Sequence, residues 1–203
     1  MQKKITDRLV NRKCRKKNYW RLAILLLLAL ATSIAWVTNN TSNQLTRLVL
    51  ELRKDFPEVN HLSIEDFLAT DDGAILVDVR TAEEFQISRI PGAIHIDDRN
   101  KLLAFATEHA NESIVLYCSV GLRSSEAARF LRNHGFEKVA NLEGSIFKWI
   151  NEERPLVNDQ GPTKIVHPYN SYWGWRYLSP GVQKNDDTSH SDGNGKKATE
   201  MSL

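Results

Sequence analysis

Cysteine is scarce in this chain, two in 203 residues, which excludes a fold stapled by disulfides. No paired Cys or His spacing of a zinc site occurs, and the six histidines are scattered, so neither a metal nor another cofactor is expected. Acidic residues are nearly missing from the start. Residues 1–21 hold one of the 25 Asp and Glu but nine of the 27 Lys and Arg. The remainder carries 18 basic against 24 acidic residues. The net charge of +2 therefore joins a basic end to an acidic body, and that pattern excludes a generally basic, nucleic-acid-binding protein.

Charge of either sign is absent from Leu22 to Val37, sixteen residues of mostly Leu, Ala and Ile. Tyr19 and Trp20 stand at one end and Trp36 near the other, where aromatic rings favour a water–lipid interface. Residues 19–37 would make about 28 Å of helix at roughly 1.5 Å per residue, enough for a bilayer core of about 30 Å. The expectation is a single transmembrane helix over 19–37 behind a basic tail, 1–21. A cleaved signal ending near Ser33-Ile34-Ala35 is the competing reading, disfavoured by the long basic region. The basic run around Lys13 to Lys17 then follows the positive-inside rule, which puts the N-terminus in the cytoplasm and everything after Val37 on the outer side, the periplasm in a bacterium. Cys14 and Cys118 would lie on opposite sides and could not pair.

Past the span, residues 38–58 read as a Thr/Asn/Ser-rich linker and an amphipathic helix carrying Leu45, Leu48, Val49, Leu52 and Phe56. Residues 59–156 alternate short apolar runs with amphipathic stretches. Ala74 to Val79 and Ser113 to Tyr117 are near-continuous apolar runs, as in strands buried on both faces. Thr81-Ala82-Glu83-Glu84 is a capping box. The alternation predicts an α/β fold with a central parallel sheet covered on both sides. Residues 157–182 form an aromatic arm expected to pack over the domain, and 183–203, with little to bury, a disordered tail.

The chemistry concentrates at Tyr117-Cys118-Ser119-Val120-Gly121-Leu122-Arg123-Ser124-Ser125. A buried strand delivers a cysteine to its C-terminal end, a glycine-containing loop follows, and a helix begins. Ligands of open α/β sheets bind at that end of the strands. Loop N–H groups and a helix N-terminus both favour thiolate over thiol, so Cys118 reads as a nucleophile. Arg123 is the loop's one permanent charge, expected to hold an anionic substrate.

Residues 118–123, with Asp78-Val79-Arg80, Ile90-Pro91-Gly92-Ala93 and Leu142-Glu143-Gly144-Ser145 followed by Trp149, resemble the rhodanese family of sulfurtransferases over about residues 60–156. The resemblance implies a three-layer α/β fold and a six-residue active loop opening with the catalytic cysteine. Cys118 would cycle between thiol and persulfide, taking sulfur from an anionic donor such as thiosulfate and passing it to cyanide or a thiol acceptor. Ser119, Val120, Gly121, Leu122, Arg123 and Ser124 would bind substrate. Asp78 and Arg80 would give structural support at the sheet edge, with Arg80 tethering Glu83 or Glu84. Three departures stand out. Ser88-Arg89 replaces a common Gly-His pair, and Gly144-Ser145 replaces Gly-Gly; neither is expected to touch the loop. Ser119 replaces a residue that is often basic.

Other classes fit less well. A cysteine phosphatase places five residues between Cys and Arg, whereas Ser119 to Leu122 are four. A redox sensor wants a resolving cysteine, and none follows Val37 except Cys118 itself. The remaining alternative is a membrane-tethered sulfur carrier or binding module that depends on a partner protein.

Overall fold

Neither glycine nor proline occurs before Pro57, so nothing in the first 56 residues forces a helix to end. The computed structural model describes residues 2–69 and 73–185; before Asn43, side chains are described at positions 20, 21, 23–33 and 40. Helix α1 runs from Gln2 to Asp55, stopping just before Pro57. This corrects the expected linker: residues 38–43 are poor helix formers, yet no residue among them breaks the helix.

The chain divides into two units, residues 1–40 and 41–203. In the first, Trp20, Leu25, Leu26, Leu27 and Leu30 are exposed. Among the described residues no helix is long and apolar enough to cross a membrane. The span expected over 19–37 includes residues 19, 22 and 34–37, whose side chains lie outside the described residues.

The second unit is built on a five-stranded sheet in the order β1-β5-β4-β2-β3. Its strands are β1 (Asn60–Leu62), β2 (Ile75–Asp78), β3 (Ile94–His95), β4 (Ile114–Tyr117) and β5 (Val139–Leu142). Every pairing is parallel. Alternation along β4 explains its unbroken apolar sequence. Ile114 and Leu116 face one cluster, with Leu102 and Ala106 of α4 (Arg99–Glu108) and Ala127, Ala128 and Leu131 of α5 (Leu122–Asn133). Val115 and Tyr117 face the other, with Ile64 of α2 (Ile64–Ala69) and Ile146, Phe147 and Ile150 of α6 (Ser145–Asn151). These are the three layers. Leu52 and Phe56, near the end of α1, complete the first cluster, and Leu45 joins the second.

The expected capping box is present: Thr81 and Glu84 exchange hydrogen bonds at the start of α3 (Ala82–Ile87). The arm is more structured than its sequence suggested. It holds a hairpin of β6 (Leu156–Asn158) and β7 (Gly161–Thr163), strand β8 (Ile165–Val166), helix α7 (Ser171–Tyr177) and strand β9 (Gln183–Lys184). Val166, Tyr177 and Leu178 are buried against the α6 side of the sheet. Strand β9 pairs with β8, so order continues past the expected boundary at 182; residues 186–203 of the expected tail lie outside the described residues.

Candidate active site

Strand β4 ends at Tyr117 and α5 begins at Leu122, leaving four residues to reverse from sheet to helix. Gly121 makes the turn at φ +113°, a conformation costly for any residue with a Cβ. Its N–H donates to Cys118 Sγ at 3.2 Å. The loop carbonyls are drawn the other way: Ile146 N–H donates to the Cys118 carbonyl at 3.2 Å and Phe147 N–H to that of Ser119 at 3.0 Å. Those amides, in the first turn of α6, have no partner within their own helix. Pulling carbonyls outward leaves loop amides facing the sulfur.

Cys118 is 1% exposed. Burial pushes its thiol up, but the Arg123 charge, the Ser124 hydroxyl and the amides of Ser124 and Gly121 outweigh it, holding the thiol below its ordinary value. The site therefore favours the thiolate more than an ordinary cysteine environment does.

Cys118, Gly121 and Ser124 converge on the sulfur; the other loop residues turn elsewhere. Val120 is buried in the apolar cluster, and Leu122 is half-buried. Arg123 is not a free cation. Its two terminal nitrogens donate to Glu84 at 2.8 and 2.9 Å, and Ser119 Oγ both donates to Glu84 and accepts from Arg123, each at 3.0 Å. The Tyr169 ring lies 5.0 Å from the guanidinium carbon. Burial pushes the Glu84 carboxyl up, but Arg123, the Arg80 charge and the Thr81 amide together bring it down to about 2. Arg123, expected to hold an anionic substrate, is paired here with a carboxylate of the chain.

Arg80 does not tether Glu83 or Glu84 by hydrogen bonds. Its guanidinium donates to Asp78 at 2.7–3.1 Å and to the Ser88 carbonyl at 2.6 Å. Asp78 and Arg80 are both fully buried, and β2 lies inside the sheet. Their support role is thus at the C-terminal end of an interior strand, not at a sheet edge. The Gly144-Ser145 departure also behaves differently from expectation. Ser145 stands at φ +50°, and its Oγ accepts the Cys118 N–H at 3.1 Å while donating to the Leu142 carbonyl at 3.1 Å. It holds the backbone of the nucleophile directly.

Sequence reasoning did not place Glu84, Ser145 or Tyr169 at the site. The capping box marked Glu84 as important, but its second bond, 39 positions away, left no local trace. Among the described residues, no group of His, Cys, Asp and Glu could hold a metal ion.

The parallel α/β domain thus presents a buried cysteine, its thiol held below its ordinary value, in an amide-lined loop at a strand's C-terminal end, an arrangement suited to cysteine chemistry. Residues 64–152 match the family described as Rhodanese-like domain. A sulfurtransferase of Allochromatium vinosum is 30% identical over 104 residues, 51% of this chain and 97% of that protein, and the chain belongs to the rhodanese-like family. A tRNA uridine(34) hydroxylase of Salmonella arizonae is 30% identical over 90 residues, but the match spans only 26% of that protein. Among solved structures, a thiosulfate sulfurtransferase of Pseudomonas aeruginosa aligns with a TM-score of 0.48 at 22% identity, over 62% of this chain and 24% of that one.

Proposed function

We propose that this protein is a sulfurtransferase that carries sulfur on Cys118. The observation that supports it best is the convergence of the Gly121 amide and the Ser124 hydroxyl on a cysteine sulfur whose thiol is held below its ordinary value. In the first half-reaction the Cys118 thiolate attacks the outer sulfur of a donor such as thiosulfate. A bond forms between Sγ and that sulfur; the bond to the sulfonate sulfur breaks, and its electron pair leaves with sulfite. In the second, cyanide or a thiolate attacks the outer sulfur of the persulfide, and the Sγ–S electron pair returns to Cys118. Loop amides hold the negative charge at each stage.

Because Glu84 offsets Arg123, attraction for an anionic donor rests largely on backbone amides. Thiosulfate and small-molecule persulfides should both serve as donors. Thiocyanate formation from cyanide is the test, with thiosulfate or glutathione persulfide as donor and Cys118→Ser as control. Transfer that survives in Cys118→Ser rules the proposal out.

A carrier role for a partner protein is favoured by two observations: Cys118 is 1% exposed, and the arm's Tyr169 ring lies against Arg123. A persulfide that forms only when a second protein is added would support that reading. Attachment to a membrane, with the N-terminus cytoplasmic and the domain on the outer side, is proposed from the sequence: the uncharged run 22–37, its flanking aromatics and the basic residues before it. Resistance of the full chain to carbonate extraction tests attachment, and a reporter fused near residue 182 tests orientation.

A further inference from the structure

A chain of hydrogen bonds leads from the site to a histidine 57 positions before the nucleophile in sequence. Ser124 Oγ lies 3.5 Å from Cys118 Sγ and 2.6 Å from Asn141 Oδ1. Asn141 Nδ2 lies 3.2 Å from His61 Nδ1, and His61 Nε2 lies 3.1 Å from the Phe56 carbonyl oxygen. Ser124 and Asn141 are buried, and His61 is half-buried.

The chemistry of each group fixes the direction of the chain. The Phe56 carbonyl only accepts, so His61 Nε2 bears the proton and, in the neutral ring, Nδ1 accepts. The Asn141 amide must then present its NH2 to His61 and its oxygen to Ser124. Ser124 has one hydroxyl proton and two acceptors for it, the amide oxygen and the sulfur. The contact to Asn141 is the shorter, 2.6 Å against 3.5 Å, so Asn141 draws that proton from the sulfur for part of the time and leaves oxygen lone pairs facing the sulfur for that part. Lone pairs there suit a thiol S–H; a thiolate is better served by the proton.

We infer that Asn141 and His61 are positioning residues for the nucleophile, competing through Ser124 with the Cys118 sulfur for a single hydroxyl proton. The competition limits how strongly the thiolate is stabilised. That limit matters because a thiolate held too tightly by hydrogen bonds loses nucleophilicity as its pKa falls. Register places the competitors. Strand β5 sets Asn141 beside Leu116 of β4 and His61 of β1, while Ser124 hangs from the first turn of α5. Other charged groups near the sulfur are the Arg123–Glu84 pair of α5 and α3, with Tyr169 and His167 of the arm beside them. Glu143, after β5, is bonded to Arg53 of α1. None of these changes in the variants below.

The inference rests on Cys118 being the reactive residue, but its test does not require sulfur transfer. The rate of Cys118 alkylation by iodoacetamide, followed from pH 5 to 10 on the full chain, gives the pKa of the thiol. Ser124→Ala removes the hydroxyl donor and should raise that pKa by about 0.5–1 unit. Asn141→Leu removes the competitor, frees the hydroxyl for the sulfur and should lower it by a similar amount. His61→Leu releases the Asn141 amide to turn over and should lower it less; this variant lies outside the loop and serves if Asn141→Leu does not fold. Opposite signs for Ser124→Ala and the other two establish the competition. Shifts of one sign, or none for either Asn141→Leu or His61→Leu, overturn it. Loss of thiocyanate formation with these shifts intact would instead count against the sulfurtransferase reading alone.

Discussion

Replacing Glu84 by Gln removes the charge that Arg123 is paired with while keeping a side chain of the same size. Glu84 is 2% exposed, and its carboxyl sits at about 2 against an ordinary 4.5. At about 1.4 kcal/mol per pH unit, that difference corresponds to about 3 kcal/mol of stability. The folded-state value is the depressed one, so this stabilisation is fully present above about pH 4.5 and is lost as pH falls toward 2. Breaking a buried pair by neutralising one partner costs about 3–5 kcal/mol, a consistent range. Urea unfolding of both proteins should therefore show Glu84→Gln less stable by about 3 kcal/mol at pH 7. The gap should narrow as pH is lowered below 4.5. The same variant leaves the Arg123 charge uncompensated beside Cys118, so alkylation of the thiol should become faster at pH 6. A gap below about 1 kcal/mol at pH 7, or one independent of pH, would refute the view that this pair holds the loop.

Gly121→Ala forces a Cβ to within 3.3 Å of Leu52 and 3.5 Å of Asn141 at φ +113°. It should cost about 1–3 kcal/mol by thermal unfolding and slow Cys118 alkylation at neutral pH, because the amide facing the sulfur is displaced. Ser145→Ala keeps the strained φ and leaves the buried Cys118 N–H without its acceptor, a loss of about 1–3 kcal/mol. Ser145→Gly relieves the strain as it loses the bond, so its melting temperature should stay closer to that of the parent protein than that of Ser145→Ala.

What could be read from the sequence was what repeats locally. The unbroken apolar runs at Ile75 to Val77 and Ile114 to Tyr117 announced strands buried on both faces, and the structure places them side by side. The capping box and the strand-to-loop delivery of Cys118 were equally plain, because each is decided within a few residues. The electrostatics of the site were not. Arg123 is the only cation in its loop, and nothing nearby in sequence reveals that Glu84 claims it across 39 positions. Ser145 looked like a departure remote from the loop, yet β5 runs next to β4, so the first residue of α6, which follows β5, reaches the Cys118 amide. The linker was misread for a different reason. Polar residues lower helix propensity without ending a helix, and α1 continues through 38–43.

The central claim is that Cys118 carries sulfur, and intact-mass spectrometry of the full chain after brief exposure to thiosulfate or glutathione persulfide tests it most directly. The account predicts a gain of one sulfur atom per chain, located on the peptide bearing Cys118 and removed by cyanide with formation of thiocyanate. It also predicts that Cys118→Ser gains nothing. A wild-type chain that gains no sulfur from either donor, or a gain that persists in Cys118→Ser, would contradict it.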